Sequence, residues 1–256
     1  PMLFPLGTTA GEALPMRRLE AWNAGVARVS STDPRLAIVV DRALADIAAL
    51  RIIDVAHPER PVVAAGAPWF MTLFGRDSLL TAWMTLPFDG QLAAGVLATL
   101  ADLRGRTDDP VAEEQPGKIL HELRRAGGGG PFADRQRYYG TADATALFVM
   151  LAAEAHRWGA LPQAAYAQLA PAVAAALTWL TGPADSNGDG FVDYRRRNPR
   201  GLSNQGWKDS WDGVTFHDGT LPDGPIALTE VQGYTYAALL GAAELSGVMD
   251  LGVDPN

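Results

Sequence analysis

The segment 146–153 reads Ala-Leu-Phe-Val-Met-Leu-Ala-Ala, and it constrains the fold more than any other part of the chain. A helix built from it has no polar face, so it has to be buried on every side. We predict such a helix from about Asp143 to Trp158. A fully enclosed helix needs other elements packed around it, and the 48% hydrophobic content of these 256 residues is enough to supply them.

The segments around this helix show apolar residues at spacings of three and four, whereas the alternation typical of strands is rare. One helix is predicted to begin at Asp33-Pro34, because a capping aspartate followed by proline is typical of a first turn. Further helices are predicted at about 77–86, 92–103, 163–181 and 230–245. Pro171 should kink or restart the helix at 163–181. The sequence therefore predicts an all-α fold.

Unusual polar residues lie at the start of alternate helices. They form three pairs: Arg76 and Asp77, Tyr139 and Asp143, and Glu230 and Gln232. This alternation predicts three helical hairpins, in which each inner helix presents its N-terminal end to a common site. A plain helical solenoid is the alternative, and the lack of a fixed repeat length weighs against it.

Composition excludes several classes of function. The formal net charge of −8 leaves no basic surface for a nucleic acid. No apolar run reaches the roughly 18 residues of a membrane-spanning helix, and no targeting segment is visible, so we expect no membrane partner. The absence of cysteine fits a cytoplasmic protein. The four histidines show no HExxH spacing, which argues against a zinc hydrolase.

Four short segments combine aromatic residues with carboxylates, and three of them also contain lysine or arginine. This mixture suits a carbohydrate, because aromatic rings cover the C–H face of a sugar while charged groups bind its hydroxyls. For any one segment a capped helix start is an equally good explanation, since Asp77 and Asp143 stand where capping acids do. Their joint occurrence favours a binding site. The segments are residues 67–78, 116–124, 138–145 and 204–213.

Five phrases in these segments and after them resemble the bacterial amylo-alpha-1,6-glucosidase or glycogen-debranching-like family. In chain order they are Phe-Gly-Arg-Asp-Ser, Pro-Gly-Lys-Ile-Leu-His-Glu-Leu-Arg, Tyr-Gly-Thr-Ala-Asp-Ala-Thr, Asn-Gln-Gly-Trp-Lys-Asp-Ser-Trp-Asp and Glu-Val-Gln-Gly-Tyr. The resemblance implies a toroid of six hairpins, (α/α)6, related to glucoamylase. Residues 33–256 would form about three of the six hairpins, the N-terminal half, after a linker at 1–32. A missing C-terminal half or a partner chain would then close the toroid.

The same resemblance implies an inverting glycoside hydrolase that acts on an α-glucoside, with α-1,6-linked glucan among the candidates. Asp209 would be the general acid, with Asp212 as the second choice. We expect desolvation between Trp207 and Trp211 to raise the pKa of Asp209. The base of this superfamily is a glutamate in the later hairpins, so it is expected outside this chain, and the chain alone is expected to be inactive.

The residues expected to bind the substrate come from all of these segments. No cofactor is required for the reaction, and the carbohydrate is the expected partner. The predicted binding residues are Trp69, Phe74, Arg76, Asp77, Glu122, Tyr139, Asp143, Trp207, Lys208, Glu230 and Gln232.

The loop 185–193 resembles the start of an EF-hand calcium loop. Oxygen-bearing side chains stand at positions 1, 3, 5 and 9, with glycine at position 6. Position 12 is Arg196 where an EF-hand has glutamate, and an Asx-rich turn explains the same residues. A structural Ca²⁺ is therefore one of two interpretations. Its ligands would be Asp185, Asn187, Asp189 and Asp193.

Two other interpretations remain for the whole chain. A non-catalytic carbohydrate-binding or regulatory fragment would keep Arg76, Asp77 and Trp207 but would not need a protonated Asp209. A terpenoid-cyclase-like protein would need an apolar cavity with one acidic cluster, and the polar groups here are too dispersed for it. The glycine run 127–130 lacks the Lys-Ser/Thr of a phosphate-binding loop and is interpreted as a lid or insertion.

Overall fold

A computed structural model of the chain describes residues 9–54, 56–123 and 136–252. The predicted glycine-rich lid at 127–130 lies outside these residues. Seven helices occur in the described ranges: α1 (Thr9–Gly25), α2 (Pro34–Leu50), α3 (Gly75–Thr85), α4 (Gly90–Leu103), α5 (Ala144–Arg157), α6 (Gln163–Leu180) and α7 (Thr229–Leu245). Five short strands accompany them: β1 (Arg51–Ile53), β2 (Pro61–Gly66), β3 (Phe70–Leu73), β4 (Glu122–Leu123) and β5 (Arg137–Tyr138).

The strands form two antiparallel sheets, so the prediction of an all-α fold is wrong. Strands β1, β2 and β3 make one sheet in that order, and β4 pairs with β5. The sheet β1-β2-β3 fills the connection between α2 and α3, the two helices of the first predicted hairpin. Its apolar runs, such as Val62-Val63, are too short to show a strand period against the surrounding helical pattern. Because of these strands, the expectation of a half-toroid built only of helices is also wrong.

The positions of the helices follow the apolar spacing more closely. The helices predicted to begin near 77, 143 and 230 begin at Gly75, Ala144 and Thr229. Helix α6 continues through Pro171 as one element. Segment 1–32, predicted as a linker, contains α1, and Trp22 of this helix packs in a small cluster with Leu44 of α2.

Helix α5 lies at the centre of the core, as its apolar sequence predicts. Its side chains Leu147, Phe148 and Leu151 are almost completely buried. It packs most extensively against α7, and also against α3, α4 and α6. None of the helices in the described ranges has the length and apolar character that crossing a membrane requires.

The start of α3 lies against the backbone of residues 120–121. The Gly75 N–H donates to the His121 carbonyl at 2.8 Å. A β-carbon on Gly75 would stand 2.0 Å from the Leu120 carbonyl oxygen, which no side chain could tolerate without a backbone shift. Glycine at this position therefore sets where Arg76 and Asp77, the next two residues, can lie.

We expect Gly75→Ala to lower the free energy of unfolding by about 2 kcal/mol or more, because the new methyl group meets backbone that cannot move aside. Gly233→Ala is the matched control. Gly233 lies within α7, a β-carbon there meets nothing within 4 Å, and the helix should gain up to about 1 kcal/mol. Urea unfolding of both variants measures the difference. Wild-type stability of Gly75→Ala would contradict the close approach.

Candidate functional site

Arg76 is the centre of a polar cluster that joins three distant parts of the chain. Its Nη1 donates to Asp143 Oδ2 at 2.9 Å, and its Nη2 donates to Asp209 Oδ2 at 3.2 Å. Arg76 lies in the first turn of α3, Asp143 directly precedes α5, and Asp209 lies in the loop 204–213. Arg76 and Asp143 are buried, whereas the Asp209 side chain is 44% exposed. The cluster therefore extends from the core to the surface.

Asp143 holds Arg76 and does not cap its helix. It stands at the N-cap position of α5 but makes no side-chain capping hydrogen bond. Its Oδ1 accepts a hydrogen bond from Thr141 Oγ1 at 2.6 Å, and its Oδ2 accepts the bond from Arg76. The capping explanation, which the sequence left open for this carboxylate, is thus excluded. Asp143 is a positioning residue for the guanidinium.

Asp77 has the environment of a carboxyl group that favours its protonated form. Burial is the main cause that raises its pKa above the ordinary aspartate value. The negative charges of Asp143 and Asp209 act in the same direction, and Arg76 opposes them. Three carboxyl groups therefore interact with one guanidinium, and burial disfavours the charge of Asp77.

Asp209 lies in the cluster, but its surroundings differ from those we expected. Trp207 and Trp211 are 60% and 68% exposed, so the two indoles do not enclose its carboxylate. Lys208 is exposed, and its Nζ lies 5.2 Å from the centre of the Trp207 ring. Asp212, the second choice for the acid, is exposed. The loop thus presents aromatic rings to the solvent beside a partly exposed carboxylate of the cluster.

Helix α7 contributes Glu230 and a residue that the sequence analysis missed, Tyr234. Burial raises the pKa of the Tyr234 hydroxyl, and so do the charges of Asp143 and Glu230, while Arg76 lowers it. These influences place Tyr234 beside the cluster. A β-carbon on Gly206 would stand 3.8 Å from Glu230 Oε1, which places Glu230 next to the loop 204–213. The i, i+4 spacing from Glu230 was the available signal for Tyr234, because such residues share a helix face.

Two of the predicted binding residues have structural roles instead. The Gln232 amide donates to the Val192 and Leu228 carbonyls and accepts from the Val192 N–H, so it fastens the loop after α6 to α7. The Tyr139 side chain is buried, and its hydroxyl donates to the Leu103 carbonyl at the end of α4. The polar atoms of both side chains are therefore occupied within the fold.

The remaining predicted residues lie along the approach to α3. A backbone bridge joins Phe74 to Glu122, which places the start of β4 beside the start of α3. The Phe74 ring meets the His121 ring edge-on at 5.6 Å between ring centres. Trp69 is 85% exposed, so it is free to contact a ligand but is not held over the cluster.

The loop 185–193 is a compact turn. The Asp185 carboxylate accepts from the Gly188 and Gly190 N–H groups at 2.7 and 2.8 Å, and these bonds lower its pKa. Among the described residues, no group of three or more histidine or acidic side chains is arranged to hold a metal ion. The calcium site stays a prediction, with Asp185, Asn187, Asp189 and Asp193 as its ligands.

A comparison of the chain with protein-family models and with curated proteins found no match.

In a carbon NMR titration, we expect the Asp77 carboxyl to titrate above the ordinary aspartate value of 3.8. Asp33 is the control, because hydrogen bonds from Arg35 lower its pKa. Arg76→Met should raise the Asp77 pKa further by removing the opposing charge. Since the folded state binds this proton more tightly, the stability that Asp77 contributes is present at low pH and is lost as pH rises through its raised pKa. An Asp77 signal that titrates at or below 3.8 in the wild type would contradict this description.

Proposed function

We propose that this protein is an inverting glycoside hydrolase that acts on an α-glucoside and binds its sugar at the Arg76 cluster. The observation that carries the proposal is the buried Arg76 with carboxylates from two distant segments, one of them open to solvent. Burying charges is costly, so a cluster with more acids than bases is a poor device for stability alone. It suits a ligand whose groups donate hydrogen bonds to the remaining carboxylate oxygens.

The chemistry of the cluster favours a sugar over other ligands. Asp77, Asp143 and Asp209 outnumber Arg76, so an anionic ligand would be repelled, whereas hydroxyl groups can donate to carboxylates in short, charge-assisted bonds. The exposed rings of Trp207 and Trp211 on the same loop can cover the C–H face of a pyranose. The carboxylates for the hydroxyl groups of a sugar and the aromatic rings for its C–H face therefore occur at one place.

The resemblance to the amylo-alpha-1,6-glucosidase family supplies the reaction. In this proposal Asp209 protonates the leaving oxygen, since its side chain is 44% exposed and a substrate can reach it. Asp77 is the rival for this role, because its pKa is raised. The base that activates water is not assigned to a described residue. The reaction requires no cofactor, and the cytoplasm is the proposed compartment.

A carbohydrate-binding protein without catalysis is the second candidate. The surroundings of Asp209 favour this candidate. The Asp209 carboxylate is ion-paired with Arg76, and the neighbouring indoles do not shield this carboxylate from water. A general acid works best in a pocket that excludes water. The two candidates share the sugar site and differ only in whether a bond is cut.

Asp209→Asn separates these candidates, with isomaltose, the α-1,6-linked glucose disaccharide, as the probe. Calorimetry should show binding within about twofold of wild type, because the amide keeps the shape. Hydrolysis should fall by about 10² to 10⁴, because proton donation is lost. Hydrolysis of α-glucosyl fluoride should fall much less, since fluoride leaves without protonation. Asp77→Ala should instead weaken binding and hydrolysis together.

Asp212→Asn tests the second choice for the acid. This neighbouring carboxylate is exposed, and if Asp209 is the acid the variant should hydrolyse isomaltose at the wild-type rate. Hydrolysis is assayed on this chain and on any longer natural form that contains it. Binding without hydrolysis in every form would favour the non-catalytic candidate. Failure to bind any α-glucoside would overturn the proposal, and full hydrolysis of isomaltose by Asp209→Asn would overturn the choice of acid.

A further inference from the structure

A cavity of about 250 Å³ lies beside Thr141, the residue that supports Asp143. Thr141, which donates to Asp143, forms part of its wall, whereas Arg76, Asp77 and Asp209 do not. Pro183 and Ser186 line the cavity and are exposed, so it opens to solvent. The cavity is therefore distinct from the candidate site, although it adjoins it.

Two buried polar atoms in the residues of this wall have no hydrogen-bond partner within the described part of the chain. They are Asp193 Oδ1 and Gln205 Nε2, and their residues are 6% and 1% exposed. A buried polar group without a partner costs about 1–3 kcal/mol, and more when it is charged. One atom only accepts and the other only donates. A hydroxyl group can serve either of them.

Lys118 adds a buried cation to the same wall. Its Nζ donates to the Glu113 carbonyl over a long 3.4 Å and lies 5.5 Å from the centre of the Trp179 ring. Burial lowers its pKa to about 8, so at neutral pH it is mostly an ammonium group with hydrogens left to donate. The Trp179 indole N–H donates to Gln115 Oε1 at 2.9 Å, which fixes the ring in the wall.

The balance of charges in the wall selects the ligand. An anion would suit Lys118, Arg195 and Arg197 but would face the carboxylates of Asp193 and Glu113. A cation would suit those two carboxylates but would face the three basic side chains. A neutral molecule with several hydroxyl groups can accept hydrogen bonds from the basic side chains and donate hydrogen bonds to the carboxylates. The volume is below the roughly 300–1,000 Å³ of pockets for drug-sized ligands, so one compact molecule fills it.

We propose that this cavity binds a small neutral polyol, no larger than one hexose, through Asp193 as acceptor and Gln205 as donor. The proposal does not depend on the hydrolase activity, because its residues lie outside the Arg76 cluster. The cavity and the cluster share only Thr141 and its bond to Asp143.

The test is a titration of the full chain with D-glucose, followed through the indole N–H signals of its tryptophans. Trp179→Phe identifies the Trp179 signal, which reports directly on the cavity wall. This signal should shift and saturate before that of Trp69, which is 85% exposed and reports nonspecific effects. Asp193→Asn and Gln205→Leu should each weaken the apparent affinity by about tenfold or more. Asp77→Ala should leave the Trp179 response unchanged, because Asp77 belongs to the other site.

A Trp179 signal that moves only together with Trp69, or that never saturates, would show that the cavity holds water alone and would overturn the proposal. Equal responses of wild type, Asp193→Asn and Gln205→Leu would overturn it as well. Dispersed indole signals report whether each variant is folded. If either Asp193→Asn or Gln205→Leu is unfolded, the other variant tests the cavity. The titration of the wild-type chain tests the proposal without either variant.

Discussion

The placement of Arg76 is the constraint on which the rest of this structure depends. A guanidinium keeps its charge at any physiological pH, so once buried it must have anionic partners within reach. Its partners here are 67 and 133 residues further along the chain. The start of α3, the start of α5 and the loop 204–213 are therefore held together by one side chain. Gly75 permits this by allowing α3 to begin against the backbone of residues 120–121.

The cluster has an inner and an outer half, and the two halves have different physical roles. On the inner side Thr141 holds Asp143, and Asp143 holds one edge of Arg76, all within the core. On the outer side Arg76 extends to Asp209, whose carboxylate remains open to solvent. A rigid buried support for an exposed polar group is the arrangement that lets a site hold its geometry while a ligand replaces water. The enzyme and the binding-protein proposals both depend on this arrangement.

Much of the helical framework could be predicted from the sequence, because apolar spacing is a local signal. The continuous apolar run of α5 and the polar residues near the starts of α3, α5 and α7 located those elements within a few residues. The strands could not be predicted in the same way, since runs such as Ile52-Ile53 are too short to show a period. Their pairing depends on partners elsewhere in the chain.

The meeting of four charged residues could be predicted from the sequence, but their interactions could not. Arg76, Asp77, Asp143 and Asp209 come together, yet nothing local distinguishes a capping aspartate from one that pairs with an arginine 67 residues away. Gln232 was predicted to bind a ligand. Its hydrogen bonds to the Val192 backbone are tertiary contacts, which the sequence alone does not show. The exposure of Trp207 and the meeting of Asp193 and Gln205 on one cavity are tertiary outcomes of the same kind.

A double-mutant cycle between Arg76 and Asp143 tests the central claim most directly. Arg76→Met and Asp143→Leu are each expected to cost about 3–5 kcal/mol. The first leaves the buried Asp143 carboxylate without a cation, and the second leaves the buried Arg76 with only the partly exposed Asp209. The double variant should cost less than the sum, which gives a coupling energy of about 2–3 kcal/mol. The same cycle on the exposed pair Arg28 and Asp41 should give less than about 1 kcal/mol. A coupling between Arg76 and Asp143 no larger than that of the exposed pair would contradict the account.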